Sequence, residues 1–232
     1  MSKKVLVIGG RTGIGKQVVN DLLKDGFEVI AASREIEDDS FENGEVTTQK
    51  FDVTGSEELD LPDELAGLVY CPGTINLKPF DRIGLDQIRE ELEINYIGAV
   101  KVLNQSIKAL KKGQGSAVFF STVAVGTGMS FHSSISAAKG AVEGMVRSLA
   151  AEYAPKVRFN AVAPSLTDTP LAESMLNSDK KRESNSSRHP LKSIGEAKDI
   201  SEGVRYLISD KSRWVTGQVL KIDGGMSSLR SL

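Results

Sequence analysis

Short, uninterrupted apolar runs alternate with segments of helical periodicity along nearly the whole chain, and this alternation constrains the fold more than any other feature. Seven runs read as strands: Val5–Ile8, Glu28–Ala32, Val46–Val53, Gly67–Cys71, Ala117–Phe120, Val157–Val162 and Gln218–Ile222. Helical spacing predicts helices over Gly13–Lys24, Leu85–Leu110, Ser136–Tyr153 and Ala197–Ser209, the third stopped by Pro155. A strand that is apolar throughout, and not merely at alternate positions, must be covered on both faces. Strands separated by helices then pair in parallel through right-handed crossovers. The expectation is an α/β fold: a single doubly wound Rossmann domain over residues 1–232 with a mostly parallel seven-stranded sheet. A chain of 232 residues, 40% hydrophobic, can bury the core this needs. Leu171 to His189 is polar, so a mobile substrate loop or lid is expected over residues 171–190.

The connection after the first strand reads Gly9-Gly-Arg-Thr-Gly13-Ile-Gly15. Gly9 suits a tight turn, Gly13 a close approach of backbone to pyrophosphate, and Gly15 close helix–strand packing. A phosphate would then sit against the free N–H groups of the helix N-terminus. Gly10 to Lys16 also matches the start of a nucleotide-triphosphate P-loop, but Gln17 stands where that motif needs Ser or Thr for Mg²⁺. The second strand runs into Ser33-Arg34, with no acid before Glu35. A guanidinium at Arg34, helped by Arg11, suits a 2′-phosphate, which favours NADP over NAD. The alternative is that Arg34 pairs in solvent with Glu35, Glu37 or Asp38.

Composition removes other classes of partner. The formal net charge is −2, and the densest basic run, Lys180-Lys181-Arg182, meets Glu183 at once, so no nucleic-acid partner is expected. No run approaches the length of a membrane span, and the apolar stretch after the N-terminal lysines is too short for a signal segment. Cys71 is the only cysteine, which points to a reducing compartment and a cytoplasmic protein. No metal-ligand cluster is visible.

These segments together resemble the short-chain dehydrogenase/reductase family over nearly the whole chain. The G-x-x-x-G-x-G turn is similar to its cofactor loop, with Gly9, Arg11, Thr12, Gly13 and Ile14 in contact with the dinucleotide. Asp52-Val53 resembles its adenine-contacting pair, and Cys71-Pro72-Gly73 follows Tyr70 where the family has Asn-Asn-Ala-Gly. Asn95 matches its active-site asparagine. Pro164 to Thr169 resembles its Pro-Gly-x-x-x-Thr segment at the nicotinamide, which implicates Pro164, Thr167 and Thr169, with Ser165 in place of glycine. Ile194-Gly195-Glu196, Val215-Thr-Gly-Gln218 and Asp223-Gly-Gly-Met226 resemble the C-terminal third.

The family's catalytic core is a serine followed about thirteen residues later by Tyr-x-x-x-Lys. Lys139 matches the lysine, Ile135 stands at the tyrosine position, and Thr122, preceded by Ser121, stands thirteen residues before it. The resemblance implies that Lys139 binds the nicotinamide ribose, that Asn95 orders a relay water, and that the Ser121 or Thr122 hydroxyl polarises a carbonyl. The tyrosine's proton must come from elsewhere. His132, three residues before Ile135, is the titratable candidate if the helix already includes it. Ser133, Ser134 and Ser136 could only relay a proton, and His189 reads as a loop residue. Only 15 residues separate Asp52 from Leu68, so the third helix looks cut down. The function expected is an NADP(H)-preferring oxidoreductase for a carbonyl or secondary alcohol. The alternatives are a non-catalytic NADP(H) sensor or partner subunit and, more distantly, a P-loop phosphotransferase. The resemblance also implies a homodimer or homotetramer built on the helices around residues 85–110 and 136–153.

Overall fold

The computed structural model describes residues 3–35, 41 and 46–230. Its seven-stranded sheet contains β1 (Lys4–Ile8), β2 (Glu28–Ser33), β3 (Val46–Lys50), β4 (Gly67–Tyr70), β5 (Ser116–Phe120) and β6 (Arg158–Pro164). Two short strands, β7 (Thr167–Asp168) and β8 (Gly195–Glu196), pair with each other, and β9 (Val219–Ile222) completes the main sheet. The order is β3-β2-β1-β4-β5-β6-β9, and every neighbouring pair is parallel. The chain leaves β1 towards β2 on one side and returns at β4 on the other. A crevice therefore opens beyond the carboxyl ends of β1 and β4.

The apolar strands are explained by two cores, one on each face. Leu6 and Ile8 point into one core with Leu68, Tyr70, Phe119 and Phe159, beneath α3 (Gly98–Lys112) and α5 (Ser133–Tyr153). Val5 and Val7 point into the other with Val118 and Val162, beneath α1 (Gly13–Lys24) and α8 (Ala197–Ile208). The strand period of two sends alternate residues to opposite cores, so both sets must be apolar.

Three connections differ from the expectation. The helix expected over Leu85–Leu110 is α2 (Leu85–Leu92), a π-helical turn over Glu93–Ile97, and α3. No helix, not even a shortened one, joins β3 to β4. Side chains hold that extended segment: Gln49 donates to the Asp60 carbonyl (2.6 Å) and accepts from the Asp60 amide (3.0 Å), while Leu59 N–H donates to Gln105 (2.8 Å). The stretch from Leu171 to His189 is largely helical, with a 3₁₀ turn over Pro170–Ala172, α6 (Glu173–Leu176) and α7 (Asp179–Ser187), so the expected loop is not what forms. No side chain of α7 is buried, and it therefore lacks the apolar stripe by which helices are read. It is held by the Ser178 cap and by Arg182, which donates to both carboxylate oxygens of Asp168 at 2.7 and 3.3 Å. The short helix α4 (Ala124–Thr127) follows β5. No described helix is long and apolar enough to cross a membrane.

Candidate cofactor and substrate site

The glycine turn forms the floor of a cleft of about 750 Å³ at the β1/β4 crevice. Gly9 (φ +76°) and Gly13 (φ +54°) occupy the left-handed region that glycine adopts without strain. At Gly15 a Cβ would overlap the carbonyl oxygen of Gly9, so the first turn of α1 can lie against the end of β1 only with glycine there. Thr12 caps α1 without a side-chain bond to the helix, which leaves the first-turn N–H groups facing the cleft. Arg11, Thr12 and Ile14 line that end. Together they make an anion cradle at the N-terminus of a twelve-residue helix.

Ser33, Arg34, Asp52 and Val53 line the far end. The Asp52 carboxylate accepts the Thr54 amide (2.9 Å) and hydroxyl (2.8 Å), bonds that hold it below the usual carboxylate range. Ser33 Oγ is buried with no hydrogen-bond partner among the described residues. Arg34 is exposed and makes no ion pair among the described residues. Glu35 pairs instead with Arg11 (3.2 Å). Glu35 is exposed and Arg11 only half-buried, so the pair contributes little and Arg11 is easily drawn away. Glu37 and Asp38, the other partners considered for Arg34, lie outside the described residues.

At its inner end the cleft opens into a second cavity of about 230 Å³, with Ile14, Cys71, Gly73, Phe120 and Thr169 shared between the two. Pro72 lines only the cleft, packed on Gly9, while Pro164 and Thr167 line the second cavity. Gly73 is the decisive residue at the junction. A Cβ there would lie 3.1 Å from Asn95 Oδ1 and 3.5 Å from Lys139 Nζ, so its absence keeps a gap between these groups open. The π-helical turn carries Asn95, fully buried. Its Nδ2 donates to the Glu91 carbonyl (2.8 Å) and to Thr74 Oγ1 (3.1 Å), while its Oδ1 has no partner among the described residues. Burial pulls the Lys139 ammonium down to about 8 and pushes the neighbouring Cys71 thiol up to about 12. An orphan acceptor and a desolvated ammonium across a gap suit a ligand rich in hydroxyls.

The two candidate hydroxyls separate. Ser121 Oγ–H donates to Glu143 (2.7 Å) and is committed, whereas Thr122 Oγ1 only accepts a long bond from the Ala124 amide (3.3 Å) and keeps its hydrogen free. Ile135 is buried and lines the second cavity. His132 also lines it, but as the residue that precedes α5 and not as part of the helix. Its Nδ1 lies 2.7 Å from the Ser130 carbonyl. A carbonyl only accepts, so Nδ1 carries the hydrogen and Nε2 is the nitrogen left to accept.

Sequence reasoning missed a second histidine. His189 is 3% exposed and lines the same cavity, with Nδ1 2.9 Å from the Asn185 carbonyl and Nε2 2.8 Å from Ser165 Oγ. The replacement of glycine by Ser165 was the available signal. What it meets, 24 residues on, was not readable. Thr54 and Thr74, which orient Asp52 and Asn95, were also missed, since short polar residues in loops carry no pattern.

A family model described as enoyl-(acyl carrier protein) reductase, one of the short-chain dehydrogenase/reductase models, matches residues 9–227. This chain belongs to the short-chain dehydrogenase/reductase family. A tropinone reductase homolog of Arabidopsis thaliana is 32% identical over 97% of this short-chain dehydrogenase/reductase and 92% of its relative. The ligand-free aldohexose dehydrogenase of Thermoplasma acidophilum superposes with a TM-score of 0.88 at 26% identity, covering 100% of this chain and 96% of that one. ElxO with NADP bound gives 0.86 at 25% identity, with 99% and 100% covered. The family is one of nicotinamide-dependent oxidoreductases.

Proposed function

We propose that the chain is an NADP(H)-preferring oxidoreductase that transfers hydride between nicotinamide and a carbonyl or secondary alcohol. One observation carries this reading: the cleft floored by Gly9–Gly15 opens, at Gly73 and beside Lys139, into a small cavity walled largely by apolar side chains. When bound, the cofactor supplies or accepts the hydride. The chain's own residues bind, orient and exclude water. The α1 N-terminus takes the pyrophosphate, Asp52 and Val53 face the adenine, and Ser33 and Arg34 face the adenosine ribose and its 2′-phosphate. Lys139 donates to the nicotinamide ribose, Pro164, Thr167 and Thr169 flank the nicotinamide, and Asn95 Oδ1 holds a relay water. Thr122 donates to the substrate oxygen, while the Ser121 hydroxyl is held by Glu143. His132 lines the cavity mouth with Nε2 available to substrate. Residues 171–190 cover the cavity as a helical lid, through Leu171, Ala172, Met175 and Arg188.

Titration with NADPH and NADH, followed by a screen of carbonyls and alcohols read at the nicotinamide absorbance, tests the reading. Tighter binding of NADPH and turnover of at least one apolar carbonyl are expected. Tight binding without any turnover would favour a second reading, a cofactor-dependent sensor or partner subunit. Ile135 motivates it, because this side chain faces the cavity where the family's tyrosine is expected and has no proton to give. Homodimer or homotetramer formation through α3 and α5 is proposed alongside either reading, and sedimentation tests it.

A further inference from the structure

The reductase reading requires a proton for the nascent alkoxide, and Ile135 has none. We infer that Ser165 is the proton donor of this site, recharged by His189. Three groups lie in series: the Ser165 hydroxyl on the cavity wall, the buried imidazole behind it, and the Asn185 carbonyl behind that. The carbonyl fixes the hydrogen on Nδ1 (2.9 Å) and so directs Nε2 at Ser165 Oγ (2.8 Å). The serine then has two settings. With neutral imidazole its hydrogen goes to Nε2. With imidazolium Nε2 becomes the donor, and the serine hydrogen is freed towards the cavity, where Met226 Sδ, 2.9 Å away, is its only alternative acceptor among the described residues. A nucleophile or acid whose partner is itself oriented by a third group has the geometry of a working pair.

The step balances. As hydride from the reduced nicotinamide bonds to the carbonyl carbon, the π electron pair moves to oxygen. That oxygen takes the Ser165 proton, Ser165 takes the Nε2 proton of His189, and neutral His189 regains a proton from solvent between turnovers. Ser165 is the group that touches substrate, and His189 is a positioning and recharging residue. His132 fits the role less well: it is partly solvent-exposed and has one backbone contact, with no hydroxyl between it and the cavity.

The inference rests on the reductase reading, and the test separates the two. With a carbonyl found by the NADPH screen, Ser165→Ala and His189→Gln should each lower kcat about 100-fold, with KM and the NADPH Kd little changed. The double variant should fall no further, because the two act as one unit. Ser165→Thr, which keeps a hydroxyl, should recover most of the rate. Methanesulfonyl fluoride gives a readout without cofactor. The Ser165 Oγ–S bond forms, fluoride leaves and the proton passes to His189 Nε2. Mass spectrometry should find the adduct on Ser165, formed about tenfold more slowly in folded His189→Gln. Turnover unaltered in Ser165→Ala, loss in His132→Ala alone, or labelling indifferent to His189 would each overturn this inference and leave the reductase reading standing. A wild-type protein that binds NADPH and reduces nothing would overturn both.

Discussion

Replacing Lys139 by methionine keeps most of the side-chain length and removes a buried ammonium. Burial lowers this group from 10.5 to about 8, and a shift of that size corresponds to about 3 kcal/mol of lost solvation in the folded state. The sign follows from proton linkage. Below about pH 8 both the folded and unfolded lysine are charged, and only the folded one is desolvated. Between about 8 and 10.5 the folded chain sheds its proton while the unfolded chain keeps it, so wild-type stability from this group rises with pH across that window. Cys71, pushed up to about 12, stays protonated throughout and does not confuse the comparison. Lys139→Met should therefore be more stable than wild type at pH 7 by up to about 3 kcal/mol, or roughly 6–12 °C in Tm. The gap should close towards pH 10.5. Urea unfolding of both proteins at pH 7 and 10 measures it, and the same variant should bind NADPH more weakly. A variant less stable than wild type at pH 7, or a gap that ignores pH, would refute the claim that Lys139 is held at a desolvation cost for the sake of a ligand.

Gly15→Ala forces a Cβ against the Gly9 carbonyl and should cost about 1–3 kcal/mol by overpacking, read by urea unfolding, together with loss of dinucleotide binding. Arg34→Ala should weaken NADPH about 10- to 100-fold, the worth of a lost charge-assisted contact, and leave NADH nearly unchanged by calorimetry. Gln49→Ala removes both bonds that tie Asp60 to β3 and should destabilise by about 1–2 kcal/mol, with increased amide exchange confined to the segment between β3 and β4.

The strand runs and the glycine turn were legible because they express local rules. A strand buried on both faces must be apolar at every position, as in Val5–Ile8, and Gly9 and Gly13 stand where the backbone takes a positive φ. The structure places Asn95 and Lys139 on either side of Gly73, and Thr122 and Ile135 along one cavity. The connections were less readable. Helix α7 forms without an apolar stripe, through a cap and the Arg182–Asp168 pair, and the helix expected between β3 and β4 is replaced by side-chain bonds from Gln49 and Gln105.

The sequence by itself therefore determined the layered sheet, the helix N-terminus aimed at its crevice, and the set of chemical groups available there. Only the tertiary structure decided how those groups are spent. It engages Ser121 with Glu143 and leaves Thr122 free, turns Glu35 to Arg11 and away from Arg34, and seats His189 behind Ser165. The reason is physical: periodicity and turn chemistry act over a few residues. A hydrogen bond between side chains 22 or 24 residues apart depends on where whole elements come to rest, and no local pattern encodes it.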